Sequence, residues 1–136
     1  MAFHFAQKVL FKHCDPAGIV FYPRYFEMIN DTVEAFFDEA MNEPFEDMHR
    51  GGRGGVPTAH IETDFKAPSR HGDRLDIALG VTRVGRSSVN LSFLCTCGDE
   101  VRFMAKSTLV YINDKGRPQS WTDKLKASLN EVLESE

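Results

Sequence analysis

At 136 residues, with 26% charged side chains and a net charge of -4, the chain is long enough for one hydrophobic core and too short for two. It lacks the strongly basic stripe that a nucleic-acid partner requires, and no apolar run approaches the roughly 20 residues of a membrane helix. Three cysteines, Cys14, Cys95 and Cys97, form no disulfide framework, so a reducing cytoplasm is the expected location.

The opening run MAFHFAQKVLF lacks a signal-peptide cleavage region. It has strand character through Phe3, Phe5, Lys8, Leu10 and Phe11, with imperfect alternation near its end. Lys12 to Gly18 is rich in turn residues. From Pro23 to about Met41 the apolar positions Phe26, Ile29, Val33, Phe36, Phe37 and Ala40 recur at spacings of three and four, predicting a helix with one wide buried face. Asn42, Glu43 and Pro44 stop it. Phe45 to Gly55 reads as a connection, and its Gly51-Gly52-Arg53-Gly54-Gly55 cluster lacks the Gly-Lys-Ser/Thr ending of a phosphate loop. Four strands follow: Val56 to Lys66, Arg74 to Val84, Ser87 to Cys97 and Glu100 to Ile112, with turns at Gly85-Arg86 and Gly98-Asp99. The tail from Trp121 or Thr122 to Glu134 has Leu125, Leu129 and Val132 or Leu133 on one helical face. One long helix, five strands and a short last helix predict an α+β domain with a single antiparallel sheet over residues 1–136.

The segment HCDPAGIVFYPRYFEMIND is the most informative in the chain. It sets one carboxylate, Asp15, in a turn, then Gly18, an apolar tetrad, and Pro23, which suits the first position of a helix. A helix N-terminus offers unpaired N–H groups and partial positive charge. A carboxylate just upstream of such an end meets the needs of a carbonyl-cleaving site: one group to attack or deprotonate, another to hold an oxyanion.

This run resembles the D-x-x-G-I/V-V-x-Y-x-x-Y signature of hotdog-fold acyl-CoA thioesterases, especially the 4-hydroxybenzoyl-CoA thioesterase branch. The order of elements is similar over nearly the whole chain, and residue-level similarity thins after Phe65. The resemblance implies a five-stranded sheet wrapped around the long helix. It also implies pairing of sheets edge to edge, with active sites at the dimer seam and further assembly of dimers into tetramers. It assigns catalysis to Asp15, as nucleophile or general base, and to the backbone N–H of Tyr22, with Gly18 permitting the backbone path between them. Phe21, Asn30 and Val56 are the implied acyl-pocket residues. Thr58 and His60 join them as substrate contacts if their strand face lines that pocket and are otherwise structural. Arg83, Arg86 and Ser87 are the implied coenzyme A contacts, since guanidinium suits phosphate. Where the 4-hydroxybenzoyl enzymes carry an acidic residue on the helix and a threonine before the second strand, this chain has Asn30 and Val56.

The expected activity is hydrolysis of an aromatic or short acyl-CoA to free acid and coenzyme A, with no cofactor beyond the coenzyme A of the substrate. Two alternatives are hydrolysis from acyl carrier protein, which a net charge of -4 does little to favour, and a non-catalytic acyl-CoA-binding module, which would not need Asp15 beside a helix end. Cys14 with His13 or His60 as base is a rival nucleophile, although neighbours on a strand point to opposite faces. Cys95 and Cys97, one residue apart, suit a buried structural role. His4, His13, His49, His60 and His71 lie scattered without metal-ligand spacing, so no metal is expected. By strand alternation, His60 and Glu62 share a face with Thr58.

Overall fold

A computed structural model describes residues 2–52 and 54–134. Its elements are β1 (Phe3–Lys8), a 3₁₀ turn (Phe11–His13), α1 (Pro23–Glu39), α2 (Phe45–Arg50), β2 (Thr58–Phe65), β3 (Arg74–Val84), β4 (Ser88–Cys97), β5 (Glu100–Val110) and α3 (Asp123–Glu131). The strands form one antiparallel sheet in the order β1-β3-β4-β5-β2. The expected α+β architecture is present, and two boundaries differ. The first strand stops at Lys8, because Leu10 to Cys14 curl into the 3₁₀ turn through the His13 N–H to Leu10 O bond. The expected connection Phe45 to Gly55 contains α2, whose first turn carries Glu46 and Asp47 and whose last turn carries His49 and Arg50, matching the helix dipole at both ends.

α1 lies against one face of the sheet. Its buried residues Tyr25, Met28, Ile29, Val33, Phe36 and Phe37 meet the inward rows Leu75, Ile77, Leu79 and Val81 of β3 and Val89, Leu91, Phe93 and Cys95 of β4. The helix ends as the amides of Ala40 and Met41 both donate to Phe36 O. Asn42 then takes a left-handed φ of 53°, a conformation asparagine tolerates better than most residues. α3 is capped by the Thr122 hydroxyl, which accepts from Leu125 N–H at 3.2 Å, and buries Leu125 and Leu129. The preceding Trp121 stacks on Tyr111 at 4.9 Å.

Three register slips interrupt the regular ladders. Ala59 in β2, Thr82 in β3 and Arg102 in β5 are each an extra residue without a partner in the ladder, and a bulge of this kind re-aims side chains.

Candidate active site

The motif folds as a small hairpin that runs into α1. Phe21 N–H donates to His13 O at 2.9 Å, Cys14 pairs with Val20, and Asp15 N–H donates to Ile19 O at 3.0 Å. Asp15 therefore lies opposite Ile19, three residues before Tyr22 along the hairpin, on the order of 10 Å. Asp15 opens the turn: its carbonyl accepts from Gly18 N–H at 2.9 Å and its Oδ1 from Ala17 N–H at 2.9 Å. One carboxylate oxygen thus shapes the loop as an Asx turn, and no hydrogen bond among the described residues takes the other. Gly18 holds a φ of 82°, and an added Cβ would meet nothing within 4 Å. The dihedral, not crowding, demands glycine there.

Tyr22 is the residue before Pro23 at the start of α1. No backbone bond among the described residues takes its N–H, and Pro23 has none to offer, so the helix end keeps an open donor. Tyr22 is 59% exposed, and its ring packs edge-on against Phe21 at 5.7 Å and Phe65 at 6.0 Å. Tyr22, Tyr25, Phe65 and Pro68 line an open, mostly apolar hollow of about 540 Å³ beside this helix end.

A network that sequence reading missed fastens the hairpin to the sheet. Ser69 O accepts from Val20 N–H at 2.9 Å, and Ile19 pairs with Arg70. The fully buried Ser69 receives Tyr25 Oη–H at 2.9 Å and Arg102 Nη1–H at 3.0 Å on its Oγ. Arg102 also reaches Asp73 Oδ2 at 2.7 Å and Glu100 Oε1 at 2.7 Å. As the bulged residue of β5, Arg102 escapes strict alternation and its guanidinium lies under the loop. The Arg102 guanidinium beside it holds the Asp73 carboxyl below its ordinary value. No spacing in the sequence announces this cluster, because a lone Ser, Arg and Asp carry no pattern until a bulge gathers them.

His13 is buried, with Leu10 N–H donating to its Nδ1 at 2.8 Å. Burial pushes the imidazole below its ordinary 6.5, and Lys12 and Arg24 add to that while Glu27 and Asp31 oppose it. Since the unfolded chain binds the proton more tightly, the stability from neutral His13 is complete above about pH 6.5. It is lost as the pH falls through the lowered folded value. Urea melts at pH 7.5 and 5.5 should show a larger loss for wild type than for His13→Asn, which keeps an acceptor and cannot titrate.

This geometry weakens the Cys14 alternative. The thiol lies 3.8 Å from Leu10 O, and the His13 nitrogen that could accept its proton is already taken by Leu10. His60, the other expected base, is on the outer face of the sheet with Thr82, Asn90 and Lys106. The Ala59 bulge explains that placement: Thr58 pairs with the inward Leu109 while His60 pairs with the outward Thr108. The expectation that Thr58, His60 and Glu62 share one face is therefore wrong, and His60 does not join the other substrate candidates.

Three of the other four do come together. Asn30, Val56 and Thr58 line one cavity of about 520 Å³, with Val33, Phe45 and Ile112 as further walls. It sits at the opposite end of the sheet from Asp15. Asn30 lies eight residues along α1 from Tyr22, about 12 Å, and Thr58 lies seven residues along β2 from Phe65, about 24 Å. Phe21 stays beside Tyr22, 47% exposed. The β3–β4 hairpin with Arg83, Arg86 and Ser87 is at the cavity's end of the sheet, where Ser87 O accepts from Tyr111 N–H at 2.7 Å. Arg86 Nη1–H donates to Ser120 Oγ at 2.7 Å, while Arg83, next to the Thr82 bulge, is exposed.

Residues 9–132 match the model of the thioesterase-like superfamily. The chain belongs to that superfamily. This thioesterase is 26% identical over 91 residues to a 1,4-dihydroxy-2-naphthoyl-CoA hydrolase from Synechococcus elongatus, covering 67% of each chain. Among solved structures, a 1,4-dihydroxy-2-naphthoyl-CoA thioesterase from Synechocystis superposes with a TM-score of 0.88 at 18% identity, over 97% of this chain and 98% of that one. A gentisyl-coenzyme A thioesterase gives 0.83 at 21% identity, over 93% and 98%. These structural likenesses bear out the hotdog fold of the thioesterase. No helix among its described residues is long and apolar enough to cross a membrane.

Proposed function

We propose that this thioesterase cleaves aromatic acyl-CoA esters to the free acid and coenzyme A, at sites shared between two copies of the chain. The observation that carries the reading is the pairing of an available Asp15 carboxylate oxygen with the open Tyr22 N–H at the start of α1. The thioester oxygen sits against that N–H, where negative charge develops as the carbonyl is attacked; one such donor is worth about 100- to 1000-fold in rate. Two routes fit. Asp15 adds to the carbonyl carbon, the C–S bond breaks, coenzyme A leaves as thiolate and takes a proton, and water then cleaves the mixed anhydride. Alternatively, Asp15 takes a proton from water as the water adds, and that proton passes to the departing sulfur.

The separation of the two ends of the sheet argues for two copies. β2 is an edge strand with one row of backbone groups unpaired, and such edges pair with another strand. A second β2 laid antiparallel about the middle of the first puts the Phe65 end of one copy against the Thr58 end of the other. The hollow beside Tyr22 then opens into the partner's Asn30–Val56–Thr58 cavity, and neither copy has a whole site alone. Arg83 and Arg86 lie at that cavity's end of the sheet, where they suit coenzyme A phosphates.

The aromatic preference follows from Phe45, Val33, Val56 and Ile112 around a cavity of about 520 Å³, within the common range for small ligands. The dihydroxynaphthoyl and gentisyl ester hydrolases to which the chain is similar support it. Thiol release from benzoyl-, hydroxybenzoyl-, phenylacetyl- and short aliphatic acyl-CoAs, with sedimentation of the same sample, tests both parts. Turnover favouring the aryl esters in a dimer or tetramer is the expected result. A preference for aliphatic esters overturns the acyl class, and a fully active monomer overturns the shared site.

A further inference from the structure

At the Asp15 end of the sheet, the Leu10–Phe11 turn stands out from the surface. Phe11 is 81% exposed, more than any other large apolar side chain described, and Leu10 beside it is 40% exposed. The turn is anchored: Val9 N–H donates to Asp73 O at 2.8 Å, Gly72 N–H donates to Val9 O at 2.9 Å, and the Phe11 ring lies 6.0 Å from His71. Four exposed cations surround it, Lys8, Lys12, Arg70 and Arg74, and none of them makes an ion pair among the described residues. Arg24, Arg102 and Lys124, by contrast, are all paired. Lys8 and Arg74 even face each other across the β1–β3 ladder, where like charges destabilise. A lysine on an edge strand guards it against unwanted pairing, which accounts for Lys8 but not for Phe11, Lys12 or Arg70. The negative charge lies elsewhere, with Asp31, Glu34, Asp38 and Glu39 exposed along α1. An aromatic side chain amid unpaired cations is the composition of a docking surface for an acidic partner.

The position of the patch selects that partner. Arg70 pairs with Ile19, and Ile19 O accepts the Asp15 N–H, so Arg70 and Asp15 stand two strand spacings apart, on the order of 10 Å. We propose that this patch docks an acidic acyl carrier protein, whose thioester reaches Asp15 on its phosphopantetheine arm. This rests on the assignment of Asp15 as the thioester-cleaving carboxylate. The chemistry is that of the coenzyme A ester: water supplies the hydroxyl of the free acid, the C–S bond breaks, and the carrier's thiol leaves with a proton. A net charge of -4 opposes such a partner only if the charge is evenly spread, and here it is not. An anionic membrane fits less well. Antiparallel β2 pairing sends the two Phe11 turns to opposite ends of a dimer, so a flat surface meets one at a time.

The test loads benzoyl on coenzyme A and on a purified acidic acyl carrier protein, and compares kcat/KM for the two esters on the full chain. Calorimetric binding of the unacylated carrier runs alongside. Wild type should cleave both esters. The double variant Lys12→Glu, Arg74→Glu should lower kcat/KM for the carrier ester at least about tenfold, through KM, because such charges act on encounter. Phe11→Ser should do about the same by removing an aromatic anchor. Both should keep benzoyl-CoA turnover within about threefold of wild type, and carrier binding should weaken in step. Equal losses on both esters would assign the patch to the coenzyme's own phosphates and overturn the docking of a protein. A carrier ester that wild type leaves intact, or that the variants cleave as well as wild type, overturns it too. So does Phe11-dependent sedimentation with phosphatidylglycerol vesicles at unchanged carrier kinetics. If neither ester is cleaved while the carrier binds in a Phe11-dependent way, the docking stands and the aromatic reading fails.

Discussion

Asp15→Asn is expected to lower kcat at least about 100-fold, the usual size of a lost acid–base or nucleophilic carboxylate, while leaving the melting temperature close to that of wild type. The structural half of that expectation comes from the Asx turn. An asparagine Oδ1 accepts the Ala17 N–H as the aspartate does at 2.9 Å, so the loop keeps its shape and only the charge and nucleophilicity go. Tyr22→Phe belongs beside it as a control: the backbone N–H proposed to polarise the thioester survives a side-chain change, and turnover should stay within about tenfold of wild type. Steady-state thiol release and a thermal melt on the same three proteins decide the matter. Near-wild-type turnover in Asp15→Asn would remove Asp15 from the mechanism.

Arg102→Met should cost about 3 kcal/mol of stability, the scale seen when one partner of a buried ion pair is removed. That corresponds to roughly 10 °C in melting temperature for a chain of this size. Methionine fills similar space but abandons Asp73, Glu100 and the Ser69 hydroxyl together. The loss should vary with pH. Because the folded Asp73 carboxyl lies below its ordinary 3.8, its contribution is complete above that pH. It disappears as the pH falls through the lowered value. Wild type and variant should therefore converge in acid, and urea melts from pH 7 down to about 2.5 measure the convergence. On the proposed site the variant should also lose turnover, since Ser69 holds Val20 in the Asp15 hairpin and Tyr25 at the start of α1.

Much of this molecule is legible in its sequence. The three- and four-residue spacing of α1 marks its buried face, the glycine-bearing turns mark the β-meander, and the Asp15-to-Pro23 run marks the turn that leads into α1. The features that escape reading have a common physical origin. α2 is only six residues long, too short for a periodic signal, and its glycine-rich flank reads as a loop. Ala59 and Arg102 are extra residues in otherwise regular strands, and nothing in the local composition marks a bulge. Each inverts the side-chain alternation on which face assignment depends, so His60 is misplaced and the Ser69–Arg102–Asp73 cluster goes unseen.

The placement of Asp15 and the Asn30 cavity at opposite ends of one sheet also bears on how such a protein can diversify. The Asp15 end, where the proposed chemistry takes place, is tied down by Ser69, Tyr25 and Arg102, while the end that would receive the acyl group is built from a one-and-a-half-turn helix and a glycine-rich link. On the proposed site, changes in α2 would retune substrate choice without touching the Asp15 hairpin. A library confined to Phe45, Met48, His49 and Gly55 is the natural place to seek altered acyl preference at undiminished chemical competence.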